Sequence, residues 1–169
     1  MTSTRNCSRW AELARVLGLD PGSRITGWGL VEGDPRRVTA VEFGCLSPRR
    51  AHSRAEALAS LSAQLEELVA RLSPDVAAVE TPFAGRYPHA ALALAEVRGA
   101  LLAVLGRWGG EVVELAPAKV KSAIVGHGRA EKHQVAFVVR HALGLREAPP
   151  ADAADALALA LCHLRSSLP

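Results

Sequence analysis

A chain of 169 residues, 49% apolar but only 4% aromatic, is long enough for one domain with a core built from Ala, Leu and Val. No uninterrupted apolar run approaches the ~18 positions of a membrane span, and the polar start from Met1 to Arg15 lacks the apolar core of a signal peptide. The net charge of +3 leans toward a polyanionic partner. Cys7, Cys45 and Cys162 are odd in number and far apart, which excludes a disulfide framework and fits free thiols in a reducing cytoplasm.

Residues 1–15 are expected to form an N-terminal extension without fixed structure, ahead of a single domain over 16–169. The domain opens with a buried strand, Val16 to Asp20, and the turn Pro21-Gly22-Ser23. A second strand follows over Ile25 to Val31, in which Gly27 and Gly29 leave the backbone bare for close approach. A third runs from Val38 to Leu46. The connections are too short for crossovers, so the three form an antiparallel meander. Leucines 58, 61, 65, 68 and 72 keep helical spacing from Ser53 to Leu72, Pro74 stops that helix, and Val76 to Glu80 is a fourth strand.

After the irregular segment Thr81 to Pro88, a helix from about His89 to Arg107 is apolar almost all round, as expected of a helix buried on more than one side. A dimer interface would cover what the domain itself does not. Val112 to Leu115 makes a fifth strand. Three helices follow, at about Pro117 to Val125, Glu131 to Leu143 and Asp152 to Leu164. The fold class is therefore α/β, a five-stranded mixed sheet with helices on both faces.

Four carboxylates stand where these elements begin or end. Asp20 and Glu80 close the first and fourth strands; Asp152 and Asp155 open the last helix at i, i+3, on one face. Four acids gathered without matching Lys or Arg would raise one another's pKa. Keeping several of them ionised calls for hard divalent cations on oxygen ligands, with Mg²⁺ as the default, and points to two-metal phosphodiester hydrolysis. Taken alone, each acid could equally cap a helix or sit as a surface charge.

Basic residues number 20, of which only three are lysines, all between Lys119 and Lys132. With Lys121, Arg129, His127 and His133 they form a candidate phosphate-binding patch; the alternative is a solvated helix face. Phe83, beside Glu80 in sequence, is either a core plug or a platform on which an unpaired base stacks. Arg86 and Tyr87 in the same segment are further candidates for nucleic-acid contact. Thr26, Gly27 and Gly29 are expected to shape the strand edge, and His163 to be structural.

The stretches LGLDPGSRITGWGLV (17–31), PDVAAVETPF (74–83), ALALAEVRGALL (91–102), PAKVKSAIVGHGRAEKHQV (117–135) and ADAADALALALCH (151–163) resemble the RuvC-type bacterial Holliday-junction resolvases of the ribonuclease H-like superfamily. D-P-G-S-x-x-T-G and D-A-A-D-A-L-A, in this order and at this distance, are the specific motifs. The resemblance implies an endonuclease that resolves four-way DNA junctions by paired symmetric nicks, in recombination and repair. It implies two Mg²⁺ per site (Mn²⁺ substituting), held by Asp20, Glu80, Asp152 and Asp155.

It further implies Lys121 and Lys132 near the scissile phosphate, Lys121 as a catalytic residue, and Phe83 at the junction centre. A homodimer through the helix near 89–107, a RuvA and RuvB branch-migration complex as partner, and a bacterial cytoplasmic setting are also implied. The chain departs from the family in its N-terminal extension, in the run Ala84 to Pro88, and in Ala95-Glu96-Val97, which adds bulk and charge to the contact helix. Two rivals remain: a module that binds junctions without cutting, and a nuclease for another branched or hybrid nucleic acid. An ATP-handling protein of the actin type is disfavoured by the absence of a second phosphate loop.

Overall fold

A computed structural model of the chain describes residues 13–81 and 88–166. The strands are β1 (Ala14–Asp20), β2 (Thr26–Gly33), β3 (Val38–Leu46), β4 (Val76–Glu80) and β5 (Glu111–Leu115). The helices are α1 (Arg54–Leu72), α2 (Pro88–Trp108), α3 (Pro117–Val125), α4 (Lys132–Ala142) and α5 (Ala151–Ser166). The sheet order is β3-β2-β1-β4-β5, antiparallel across the first three strands and parallel from β1 through β4 to β5.

The expected class and element order are found, with shifts at the ends. β1 starts at Ala14, two residues before the expected domain boundary. Its Arg15 is tied down: the guanidinium donates to Leu72 O and pairs with Glu32, while the Arg15 N–H donates to Asp75 Oδ2 at 2.8 Å. These partners lie far away in sequence.

β1 is buried on both faces, hence its continuous apolar run. Leu17 and Leu19 point into a core shared with Trp28, Leu30, Leu61, Leu65, Val97, Leu101 and Leu105, beneath α1 and α2. Val16 belongs to the opposite core, with Val31, Ala78, Val120, Val139, Leu157 and Leu161, beneath α3, α4 and α5. α1 begins where Ser53 accepts from the Glu56 N–H, and ends at Ser73 in the left-handed conformation.

The domain covers one side of α2, and the other side is exposed, as a helix that cannot all be internal core requires. Val97, Leu101, Val104 and Leu105 are buried, whereas Ala91, Leu92, Ala95, Gly99, Ala103 and Gly106 are exposed. Glu96 is engaged by Arg54 Nε at 2.6 Å but stays exposed, whereas Val97 faces the core and adds no bulk to the outward face. By length and composition alone α2 could cross a bilayer; here its apolar stripe is built into the core of the domain.

The contact that decides the fold is α5 on the sheet. A Cβ on Gly18 would stand 1.9 Å from Ala156 O, one on Gly27 1.9 Å from Asp152 O, and one on Gly29 2.6 Å from the Leu157 side chain. Ala153, Ala156 and Ala160 are fully buried. Small residues on both partners thus let helix and strands meet at backbone distance. Gly18→Ala or Gly27→Ala must push α5 off the sheet and is expected to cost about 3 kcal/mol. Gly106→Ala, whose Cβ meets nothing within 4 Å, should gain about 0.5–1 kcal/mol from helix propensity. Urea denaturation of the three variants checks both signs.

Candidate active site

Asp20 and Glu80 end adjacent parallel strands whose last paired residues are Leu19 and Val79, so the two residues leave the middle of the sheet side by side at the C-terminal ends of those strands. α5 supplies Asp152 and Asp155 from its first two turns. It starts after Pro149-Pro150, where Pro150 O accepts the Ala154 N–H. Gly27 pairs with Asp20 across β2, and its missing Cβ admits the backbone of Asp152. The glycine track therefore sets the distance between the acids of the strands and those of the helix.

Burial, then the charges of Glu80 and Asp155, push the Asp20 carboxyl up to about 7; Lys132 opposes this and Asp152 adds to it. Asp20 is thus coupled to all three other acids. Glu80 is raised too, first by burial and then by Asp155, against a hydrogen bond with Asp20 and the charges of Lys132 and Lys121.

The expectation that the acids lack a matching cation is corrected. Lys132 Nζ donates to Asp155 Oδ2 at 2.9 Å, and this bond holds the ammonium above its usual pKa. One lysine offsets only part of the charge of four acids. No three His, Cys, Asp or Glu side chains among the described residues stand as a closed metal-ligand group. The donor chemistry nonetheless fits a hard cation. All four side chains are carboxylates, and burial, together with the charges of neighbouring acids, raises Asp20 and Glu80 above their ordinary pKa values, a setting in which a hard cation on oxygen ligands would favour the ionised forms.

Of the expected basic residues, Lys132 is at the acids and the charge of Lys121 reaches Glu80. The charge of Lys119 is felt instead at Cys162 and His163, farther along α5. His163 is half-buried, its pKa lowered by that burial, and it feels the charges of Glu111 and Lys119. Phe83, Arg86 and Tyr87, like residues 1–12, lie outside the described residues. Thr26 is fully buried and its Oγ1 has no hydrogen-bond partner among the described residues.

Two residues at the site escaped the sequence. Arg98 of α2 donates from Nε to Glu80 O at 3.1 Å and pairs with Glu114, which anchors the end of β4. Its only sequence signal is an arginine in an apolar helix. Cys45 of β3 pairs with Gly27 and accepts from the Ala153 N–H at the start of α5. Burial and the Asp152 charge push its thiol up.

The family model for crossover junction endodeoxyribonuclease RuvC matches residues 16–163. A crossover junction endodeoxyribonuclease RuvC of Halorhodospira halophila is 46% identical over 151 residues, covering 89% of this chain and 90% of its own. That of Alkalilimnicola ehrlichii is 44% identical over 161 residues, covering 92% and 93%. The solved structure of Thermus thermophilus RuvC in complex with a Holliday junction substrate superposes with a TM-score of 0.83 at 34% identity, covering 89% of this chain and 92% of that one.

The burial of Asp20 has a consequence in the absence of divalent cations. Below about pH 4 its carboxyl is neutral in folded and unfolded chains alike. As pH rises toward 7 the unfolded chain releases the proton first, and folding weakens. In chelator, Asp20→Asn is expected to raise Tm at pH 8, with the gain vanishing toward pH 4. Millimolar Mg²⁺ should raise the wild-type Tm and leave the variant nearly unmoved. Equal melting of the two proteins at pH 8 in chelator would contradict the account.

Proposed function

The chain belongs to the RuvC family of crossover junction endodeoxyribonucleases, and from that premise we propose how its own residues cut a four-way DNA junction. It is a nuclease of Holliday junctions and depends on a divalent metal. The observation that carries the residue assignment is the convergence of Asp20 with Glu80, Asp155 and Asp152, at the ends of β1 and β4 and the start of α5.

In this proposal Asp20, Glu80, Asp152 and Asp155 would hold two Mg²⁺ ions, for which Mn²⁺ would substitute. Such cations would lower the pKa of an attacking water and offset charge on the leaving 3′ oxygen. The remaining work belongs to the protein. Arg98 fixes the backbone of Glu80, and the glycine track holds α5 so that its two acids face Asp20. Lys132, on an otherwise exposed side chain, carries its ammonium to within a hydrogen bond of Asp155, and so to the phosphate that the acids surround. There it stabilises charge gathering on the non-bridging oxygens. The charge of Lys121 is felt at Glu80, which supports its acting on the same phosphate from α3.

One site cuts one strand, so resolution requires two sites in two-fold opposition. The exposed small-residue face of α2, from Ala91 to Gly106, suits contact with a second copy. A homodimer through α2, coupling to a RuvA and RuvB branch-migration complex, and a cytoplasmic setting complete the proposal.

End-labelled four-way junctions with mobile and immobile cores test it, with Mg²⁺, Mn²⁺ or chelator. Wild type is expected to give paired symmetric nicks with metal and none in chelator. Asp20→Asn should bind the junction but cut more than ~100-fold more slowly. Lys132→Ala should lower the cleavage rate about 10²-fold with affinity changed only a few-fold. Tight binding by wild type without nicks, across metals and cores, would replace the nuclease with a recognition module.

A further inference from the structure

Resting on the junction-cutting reading, we propose that Arg24, Arg49 and Arg50 form a second phosphate-binding rim, on the side of the acids opposite Lys121 and Lys132, and that it grips the DNA arm leaving the active site.

Topology brings the three arginines together. β2 and β3 pair from Thr26↔Leu46 onward, so Arg24, two residues before that pair, and Arg49, three after it, leave the sheet at one end. The same end carries Asp20, which pairs with Gly27. From β1 the sheet runs through β4 toward the lysines and, the other way, through β2 to β3. Two strand spacings put the rim about 10 Å from the acids, which is about three nucleotides along a DNA strand.

The rim is held in place. In the loop between β3 and α1, Ser47 O accepts from Gln64 Nε2 at 2.9 Å, and the Arg49 N–H donates to Ser60 Oγ at 3.0 Å. Arg50 adopts φ 47, in the left-handed region that non-glycine residues rarely occupy. The backbone of the loop is thus pinned to α1 while two consecutive arginines stay exposed.

Their charge is also unspent. Among the described residues, Arg15, Arg54, Arg71, Arg98 and Arg107 each have a carboxylate partner, whereas no ion pair engages Arg24, Arg49 or Arg50. The acids nearest in sequence to Arg49 and Arg50 are engaged elsewhere: Glu56 accepts the His52 N–H at 2.8 Å, and Glu42 pairs with Arg71 of α1. Three exposed guanidinium groups without an ion pair, two of them on a loop whose backbone is pinned, suit phosphates, which they bind as forked donors. DNA lying over the acids would then be held by lysines on one flank and by arginines on the other.

Junction binding by the Asp20→Asn protein, measured across salt concentrations, tests the rim. Arg24→Gln, Arg49→Gln and Arg50→Asn are combined, Asn being tolerated at a positive φ. Each lost phosphate contact removes about 0.9 from the slope of log K against log salt. The triple variant should therefore lose about 2–3 from the slope and bind at least tenfold more weakly at 0.1 M salt. Arg36→Gln with Arg37→Gln, at the far end of the β2–β3 hairpin, should change neither; circular dichroism verifies that both variants fold. An unchanged slope in the triple variant, with wild type still cutting junctions, overturns the rim alone. Loss of slope in the hairpin-tip variant as large as in the triple variant overturns it too, because any surface arginine would then do. Failure of wild type to bind or cut junctions removes the premise and the rim with it.

Discussion

Everything at the acidic edge depends on how closely α5 lies against β1 and β2. A helix usually packs at 8–10 Å from its neighbour because side chains stand between the backbones. Here Gly18 and Gly27 face main-chain oxygens of α5, Gly29 faces the Leu157 side chain, and buried alanines line the helix. The same approach that closes one core of the domain sets Asp152 and Asp155 beside Asp20. Stability and site geometry therefore share one contact, and a methyl group added there disturbs both.

The site works against that stability. Burial and mutual repulsion hold Asp20 and Glu80 above their ordinary pKa values, so near neutral pH the metal-free protein carries charge it accommodates poorly. Lys132 relieves part of it through Asp155, but its side chain reaches in from solvent and is not locked there. In the proposed function, where these acids hold cations, metal binding and folding would be linked through the same carboxylates. The packing of α5 on the glycine track is what keeps the cluster together when no cation offsets the repulsion.

The sheet and most helix limits were legible because their signals are local. β3, β4 and α3 fall where alternation, Pro74 and Pro117 placed them, and the four acids stood out because each marks the end of an element. What escaped was set by partners far away in the chain. The start of β1 depends on Arg15 reaching Leu72, Asp75 and Glu32; Glu96 is taken by Arg54; Arg98 finds the carbonyl of Glu80. No periodicity announces such ties. That the acids would meet could be read from their positions, but that Lys132 sits among them could not, since a lysine at the start of a helix more often points into solvent.

The unequal use of arginine and lysine follows the same division of labour. Arg15 ties β1 to the end of α1, Arg54 ties α1 to α2, Arg71 ties α1 to β3, and Arg107 ties α2 to α1, each holding a carboxylate or carbonyl in place. A planar guanidinium with five donors suits such fixed, forked contacts. The lysines are confined to α3 and α4, and one of them meets the acids, where a compact charge on a flexible stem can follow a partner as the local charge changes. Arg24, Arg49 and Arg50 fit neither use, being neither structural ties nor mobile charges at the acids. A loop that spends backbone hydrogen bonds and a left-handed residue to keep two such arginines outward is built for a ligand that brings its own negative charge.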